Sequence, residues 1–434
     1  MIKIAQPSLF LLRIKSLLFS KLARASGLMF VSTIGGGILG YVFQILMGRI
    51  LSVTDYGIFI TLMALLIVVS VPLGALSMVV SRRASDYRAT MQPERMAVMF
   101  WWVNRRVLWS AMTVVLCTLP FTSWLRDYFQ LESVGPILVL LVIFFAMSFL
   151  SINIAFLQAQ QNFHWFAITG LASHAFKILF CTTLILIAGN KLNGALIGVV
   201  LALLATWLLT YIPLRHAVAL PTGATTKGGH FSFQGTIPVL IANLAFAVMT
   251  QLDIILVNHY YDTHQAGIYA SAAILGKAVM YLPSAITMAM FPMVVENKSR
   301  SQSSAHLFFN AMILTAILSG VGALFYYLFA ANIMSLFYGQ KYQGASEILE
   351  LYGFAVMPMT LVMVAEHFLI AKGRMVFAYV MMLGIPFVLI AIQNYHGHLI
   401  DMVYILAACG WGLALVGFGV IGVQYWQGQK QIVQ

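Results

Sequence analysis

Charged side chains are scarce in this sequence, and that scarcity excludes most soluble architectures. Only 24 Lys or Arg and 12 Asp or Glu occur among 434 residues, which is 8%. Soluble domains carry about 25% charged residues and need them to cover their surface. Cysteine is also scarce: three cysteines, each inside an apolar run, exclude a secreted fold held by disulfides. The composition predicts a polytopic membrane protein.

Long apolar runs are what the sequence has in place of charges, since 61% of its residues are hydrophobic. A membrane-spanning helix needs about 20 such residues. Runs of this length do not fit the alternating strands of a membrane barrel, so the predicted fold class is an all-α integral membrane protein. We predict twelve transmembrane helices, at 25–48, 57–80, 105–124, 136–158, 165–188, 194–214, 237–258, 267–294, 305–331, 347–371, 375–393 and 402–425.

The polar intervals between these spans predict the domain organisation. Residues 1–24 read as a basic amphipathic segment lying on the membrane surface. A first six-helix lobe covers 25–214 and a second covers 237–425, joined by a linker at 215–236 that contains Pro, Gly and Thr. Residues 426–434 form the tail.

The distribution of basic residues predicts the orientation in the membrane. Eighteen of the 24 Lys and Arg fall on the side of the N-terminus, and this bias places both termini in the cytoplasm. The net charge of +12 therefore records topology, and no nucleic-acid partner is expected, because the basic residues form no continuous stripe. Four basic residues lie on the opposite side and two within spans: Arg49, Arg126, Lys191 and Lys341, then Lys177 and Lys277.

Weak internal similarity relates the two halves of the chain. Residues 49–59 and 259–269 share a Gly-Ile-aromatic unit at an offset of 210, and a helix-interior proline follows each copy. A further match relates 157–160 to 370–372 at an offset of 212. Six spans is an even number, so these offsets predict a duplicated six-helix unit with parallel repeats.

Several short motifs support a resemblance to a known family. They are Arg49, Leu51 and Tyr56-Gly57 after the first span, Asp253 followed by Gly267-x-Tyr269, Phe291-Pro292, and the turns FLQAQQNFHWFAI and FLIAKGRMVFAYV. With them the chain resembles the bacterial lipid-linked oligosaccharide flippases. These form the polysaccharide-biosynthesis branch of the multidrug/oligosaccharidyl-lipid/polysaccharide exporter superfamily.

The resemblance implies a MATE-like fold and a transport function without enzymatic activity. Such a carrier moves an oligosaccharide repeat unit, linked through pyrophosphate to undecaprenol, from the cytoplasmic to the periplasmic leaflet of the bacterial inner membrane. Its two lobes alternate between inward- and outward-open states around a central cavity. The resemblance implies no cofactor, leaves coupling to H⁺ or Na⁺ open, and points to a polysaccharide polymerase and other assembly proteins as partners.

Ionisable residues within the spans are candidate site residues, because each costs several kcal/mol inside a membrane. Lys177, with His174 on the same helix face, and Lys277 lie near mid-membrane and are predicted to hold the pyrophosphate. The alternative for Lys277 is a structural ion pair with Asp253.

Two acidic residues are candidates for ion or proton coupling, and one arginine is a candidate cavity residue. Asp253 lies within the seventh span, where the alternative is the ion pair with Lys277. Glu366 lies about one turn from the end of the tenth span, where the alternative is snorkelling to the interface. Arg49 either lines the cavity mouth or anchors the first hairpin at the interface.

Other functions stay open at this point. A multidrug exporter of the same superfamily would favour acidic cavities, and a peptidoglycan-precursor flippase usually has fourteen helices. A membrane polymerase or ligase would need a large periplasmic loop, and the longest loop predicted here, 81–104, is basic and lies on the other side. The ten histidines are dispersed without an HExxH motif or a Cys/His cluster, so no metal site is predicted.

Overall fold

The computed structural model describes most of the chain, and every long element in it is an α-helix. The described residues are 21–187, 189–215, 217–219, 236–299 and 303–433. The amphipathic segment predicted at 1–24 and the linker predicted at 215–236 fall largely outside these ranges.

Fourteen α-helices, numbered along the chain, are described within these ranges: α1 (Lys21–Ile50), α2 (Val53–Ala89), α3 (Pro93–Thr118), α4 (Thr122–Tyr128), α5 (Gly135–Ala159), α6 (Phe163–Ile187), α7 (Lys191–Leu214), α8 (Thr236–Tyr260), α9 (Thr263–Gly276), α10 (Tyr281–Ser299), α11 (Ala305–Phe337), α12 (Ala345–Ala371), α13 (Val376–Asn394) and α14 (Asp401–Val433). Short 3-10 helices lie at Leu119–Phe121, Lys277–Met280 and Gln340–Tyr342.

These helices provide the predicted number of membrane spans. Eleven segments of the described chain are long and apolar enough to cross a bilayer, and a bent pair, Thr263–Met280 with Pro283–Asn297, completes the twelfth. The twelve-span, all-α prediction is therefore confirmed, and the chain is a multi-pass membrane protein. The eighth predicted span is not one straight helix, because it bends by 40° where the 3-10 turn and Pro283 interrupt the α-helical hydrogen bonds.

The prediction of a long basic loop at 81–104 is wrong. Helix α2 continues to Ala89 and α3 begins at Pro93, so only a three-residue turn separates them. The arginines here lie on exposed helix faces, while an apolar stripe on the same helices packs against the ends of α5 and α7. A search for uncharged runs overlooks such amphipathic helices. The buried stripe includes Val80, Ala84, Met96, Phe100 and Val107.

The described chain divides into two compact units that do not follow the two sequence halves. Unit 1 contains the described residues within 1–46, 76–119 and 141–231. Unit 2 contains the described residues within 47–75, 120–140 and 232–434. Unit 2 thus includes segments from both halves of the sequence. The lobe boundaries predicted at 25–214 and 237–425 stay predictions.

Helix α12 forms the centre of unit 2. It packs against α9, α10, α11 and α14, and 78% of its membrane-spanning window is buried. A close approach between α11 and α12 occurs at Gly353, where an added β-carbon would lie 2.9 Å from Ala323 Cα. Such dense packing holds the polar residues of α12 away from lipid.

The repeat detected in the sequence has a structural counterpart at two helix ends. The turn after α5 contains Gln161 at φ 54°, and the turn after α12 contains Gly373 at φ 74°, which is 212 residues later. In each turn a backbone N–H bonds back to a carbonyl five residues earlier: Asn162 N to Leu157 O at 3.2 Å, and Arg374 N to Leu369 O at 2.9 Å. The two turns therefore have the same local geometry.

Replacing Gly353 by Val is expected to force α11 and α12 apart and lower the thermal unfolding midpoint in detergent. Overpacking of this kind costs about 1–3 kcal/mol. Gly412→Val on α14 is the matched control, because a β-carbon there meets open space. Equal unfolding midpoints for the two variants would contradict the packing described here.

Candidate functional site

A buried carboxylate with three donors forms the most connected polar cluster described inside the spans of unit 2. Asp253 on α8 is 4% exposed. Its Oδ1 accepts from Lys277 Nζ at 3.1 Å, and its Oδ2 accepts from the hydroxyls of Tyr269 at 3.2 Å and Tyr352 at 2.5 Å. Four elements, α8, α9, the 3-10 turn and α12, thereby converge on one carboxylate, and its charge is compensated.

Packing around the two tyrosines positions their hydroxyl groups. The rings of Tyr269 and Tyr352 meet edge to face with centroids 5.9 Å apart. The Tyr352 ring also lies against the backbone of Gly276, where any β-carbon would overlap it. The missing side chain at Gly276 thus lets α12 approach closely enough for Tyr352 to reach Asp253.

Lys277 forms the ion pair that the sequence offered as its structural alternative. Its ammonium bonds to Asp253, and its side chain is 12% exposed. The residue begins the 3-10 turn at the bend of the broken span, a kind of position that often acts as a hinge. Lys277 therefore becomes available to an anion only if Asp253 releases it.

Lys177 on α6, in unit 1, is placed differently. No acidic side chain in the described part of the chain pairs with it. His174 lies one turn earlier and packs on the glycine face of α1, where β-carbons added at Gly36 and Gly40 would lie 3.6 and 3.2 Å from its ring. Gly36 and Gly40 thus allow the close helix contact that small residues make between membrane helices.

Orphan polar atoms surround this part of unit 1. His174 Nδ1, Gln44 Oε1 on α1 and Thr182 Oγ1 on α6 are buried without a hydrogen-bond partner. Such groups are rare in folded proteins and call for an explanation, of which an absent polar ligand is one. The Lys177 ammonium and the Thr182 hydroxyl can donate to phosphate oxygens, whereas the Gln44 oxygen can only accept, as from a hydroxyl group. Helices α1 and α6 are therefore chemically suited to a ligand that carries both phosphate and hydroxyl groups.

Glu366 on α12 is 2% exposed, and both of its carboxyl oxygens lack a hydrogen-bond partner. The snorkelling alternative is therefore wrong, because dense packing of α12 keeps the side chain inside unit 2. A charged carboxylate without donors is costly in such surroundings, so this group is chemically suited to take up a proton or a cation.

Arg49 lies at the end of α1, within unit 2. Its Nε donates to Phe337 O at 2.8 Å, and its Nη2 donates to Leu336 O. Both acceptors are carbonyls at the C-terminal end of α11, where cations are favourable. The guanidinium is thus engaged by backbone in this structure, in agreement with the anchoring alternative, and its cavity role stays a prediction.

Comparison with protein families decides which family the chain belongs to. Its sequence matches the family model described as "Polysaccharide biosynthesis protein" over residues 46–347. The chain belongs to this family. A search of curated proteins found no match to the sequence.

Solved structures of other proteins have the same fold as this polysaccharide biosynthesis family chain. An inward-facing multidrug resistance MATE family transporter of the MOP superfamily is 13% identical, with a TM-score of 0.73 over 92% of this chain and 95% of that one. Lipid II flippase MurJ in an inward closed conformation is 14% identical, with a TM-score of 0.71 over 90% and 87%. The MATE-like fold expected from the sequence is confirmed.

The repeat shows that the Asp253 cluster is specific to the second half of this family member. At an offset of 210 residues, the first half has Phe43 in place of Asp253, Phe59 in place of Tyr269, and Ile67 in place of Lys277. The first half thus has apolar side chains at all three positions, and the two halves do not share the cluster.

Sequence reasoning missed one member of this cluster, Tyr352. Tyr269 appeared in the resemblance motif, but Tyr352 is one of 18 tyrosines and follows no motif. Its only signal is that it is a hydroxyl-bearing residue near the start of a highly apolar span. Its position opposite Asp253 depends on tertiary packing against Gly276, which no local pattern encodes.

Lys277→Met is expected to destabilise the protein by about 3–5 kcal/mol, because it leaves the buried Asp253 carboxylate without a cation. Adding Asp253→Asn should recover much of that loss, since the second change removes the unpaired charge. Chemical unfolding in detergent of both single variants and the double variant measures the coupling. A double variant no more stable than Lys277→Met would show that the pair is not coupled.

Proposed function

We propose that this protein is a flippase for undecaprenyl-pyrophosphate-linked oligosaccharide repeat units in surface polysaccharide biosynthesis. The observation that carries the proposal is the match to the polysaccharide biosynthesis family over residues 46–347. Its fold, which is similar to that of a lipid II flippase, supports a lipid-linked substrate. Transport would proceed by alternating access of two lobes in the bacterial inner membrane, with polysaccharide polymerase and other assembly proteins as partners.

Lys177 supplies the chemistry for a substrate with a pyrophosphate. An anion crossing the apolar interior needs a compensating cation, and the Lys177 ammonium has no acidic partner among the described residues. His174 lies on α6, the helix that also carries Lys177, and the orphan amide oxygen of Gln44 lies on α1, which packs against α6. A ring N–H of His174 can donate to a phosphate oxygen, whereas the amide oxygen of Gln44 can accept from a hydroxyl group of the first sugar.

Asp253 and Lys277 supply a means of coupling transport to protons or Na⁺. A proton or cation taken up at Asp253 would weaken its bond to Lys277 Nζ, which is 3.1 Å long in the structure. Lys277 would then be free to meet the substrate anion. Glu366, buried and without donors, is a second uptake position on α12.

Multidrug export is the second candidate function. The uncompensated Glu366 carboxyl favours it, since cationic drugs bind to acidic groups in apolar cavities. Two observations count against multidrug export. Lys177 is a cation, and Asp253 is paired with Lys277. Of the four charged residues proposed to act within the spans, only Glu366 is then an unpaired acidic group. Drug resistance conferred by the protein, without any flipping of pyrophosphate-linked lipid, would support this candidate.

Lys177→Met is expected to slow flipping by about tenfold or more, because a charge-assisted contact to phosphate is lost. The measurement is leaflet accessibility of a fluorescent pyrophosphate-linked oligosaccharide lipid in proteoliposomes. Lys177→Arg should retain most activity, and Lys191→Met, which removes an exposed charge at the start of α7, should retain all of it. Wild-type flipping by Lys177→Met would contradict the anion role.

Glu366→Gln and Asp253→Asn are expected to change how the flipping rate depends on an imposed H⁺ or Na⁺ gradient. Each removes a group that can take up a cation within a span. Glu347→Gln is the matched control, because Glu347 is an exposed carboxylate on the same helix as Glu366. Unchanged ion dependence in both variants would mean that the two residues are structural.

A further inference from the structure

Two corners of unit 2 are joined by hydrogen bonds that repeat along the chain. We define the clasp as Arg49, Gln130, His259 and Lys341. Each of these side chains bonds to a backbone carbonyl at a helix end contributed by the other half of the sequence. The clasp connects residues 47–75 and 120–140 to the second half of the chain within unit 2.

The first corner joins the end of α1 to the end of α11. Arg49 Nε donates to Phe337 O at 2.8 Å, and Lys341 Nζ donates to the carbonyls of Arg49 at 2.8 Å and Leu51 at 2.5 Å. Tyr342, whose hydroxyl pKa is raised by burial, donates to Gly48 O at 3.0 Å. The charged side chains of Arg49 and Lys341 thus both donate to backbone carbonyls at this corner.

The second corner joins the end of α8 to the end of α4 in the same way. His259 Nδ1 bonds to Tyr128 O at 3.0 Å, and its ring stacks on the Tyr128 ring with centroids 3.9 Å apart. Gln130 Nε2 donates to the carbonyls of His259 at 3.0 Å and Tyr261 at 3.1 Å. His259 and Gln130 here contact backbone carbonyls, as Arg49 and Lys341 do at the first corner.

The two corners are related by the sequence repeat. His259 and Tyr261 lie 210 residues after Arg49 and Leu51, Phe337 lies 209 after Tyr128, and Lys341 lies 211 after Gln130. Each of the four clasp residues, with a carbonyl that it bonds, therefore has its counterpart in the other corner. Such a correspondence does not arise from incidental surface contacts.

The repeat-related glycines meet between the corners. A β-carbon on Gly57 of α2 would lie 2.6 Å from Gly267 N of α9, and one on Gly267 would overlap Val53 O. The two helix starts are therefore in backbone contact. Around this buried contact, Arg49, Gln130 and Lys341 are exposed, so water can compete for their hydrogen bonds.

We propose that the clasp is a reversible lock, which holds this end of unit 2 closed and opens as residues 47–75 and 120–140 separate from the second half of the chain. Three of its four residues are exposed, and the buried Gly57–Gly267 contact is made by backbone, which suits an interface that forms and breaks repeatedly. The link between opening and transport rests on the proposed function, whereas the lock itself does not.

The test uses a cysteine reporter at the glycine contact. Ala266→Cys places a small thiol beside Gly267, where Ala266 is 3% exposed. Cys117, Cys181 and Cys409 are replaced first, and the purified protein in lipid nanodiscs is reacted with a water-soluble maleimide. In the protein that retains all four clasp residues, labelling of the Ala266→Cys thiol is expected to be slow, because the maleimide reaches it only when the lock opens.

Removing clasp donors is expected to raise the labelling rate. Lys341→Met and Gln130→Met should each raise it by about tenfold, the factor that corresponds to losing a strong hydrogen-bond donor. Gln130→Lys should keep labelling slow, because the repeat-related corner already uses a lysine for this contact. Lys191→Met, an exposed charge outside the clasp, should also leave the rate unchanged.

A parallel set that keeps only native Cys181 reports the overall fold, since this thiol is fully buried in unit 1. Cys181 should stay unlabelled in every clasp variant. Equal Ala266→Cys labelling with and without Lys341→Met or Gln130→Met would overturn the proposal. So would labelling of Cys181 that rises in parallel, because the whole protein would then have loosened. Since no substrate is added, failure of the flippase assignment would leave these results unaffected.

Discussion

A charge inside a bilayer must be compensated, and the polar architecture of this protein depends on how each buried charge is treated. Asp253 is fully compensated by Lys277, Tyr269 and Tyr352. Among the described residues, Lys177 has no acidic partner and the Glu366 carboxyl has no hydrogen-bond donor, although each lies within a span. Losing one partner of a buried ion pair is costly, and an unpaired charge within a membrane is itself retained at a cost. The contrast supports the proposal that Lys177 and Glu366 bind a ligand or an ion, whereas the Asp253 cluster would first have to release its lysine.

Sequence patterns predicted much of this architecture, because the physics they report is local. Twelve spans follow from apolar runs in the sequence. The orientation predicted from the bias of basic residues likewise requires no tertiary information. The loop predicted at 81–104 was wrong since its helices are amphipathic, and a search for uncharged runs does not detect them. The Asp253–Lys277 pair was one of two alternatives that sequence could not separate. Only packing decides whether a lysine reaches a carboxylate one hairpin away.

The repeat proved more informative than its few matching residues indicated. It relates the caps at Gln161 and Gly373, the four clasp residues, and the glycine contact, all at offsets between 209 and 212. The same comparison identifies where the halves differ, with Phe43 opposite Asp253 in the alignment. The hydrogen bonds of the clasp thus have counterparts in both halves of the sequence, whereas the polar cluster around Asp253 occurs in the second half alone.

The hairpin of α2 and α3 has a practical consequence for imaging. Helix α2 has 37 residues, about 55 Å at the helical rise, which exceeds the apolar thickness of a bilayer by roughly 25 Å. Its last turns are braced by the buried stripe on α3, α5 and α7, and the connection to α3 is three residues long. A small helical domain spliced into that turn would inherit a fixed orientation. It would serve as a fiducial marker for electron cryomicroscopy of a protein otherwise hidden in its micelle.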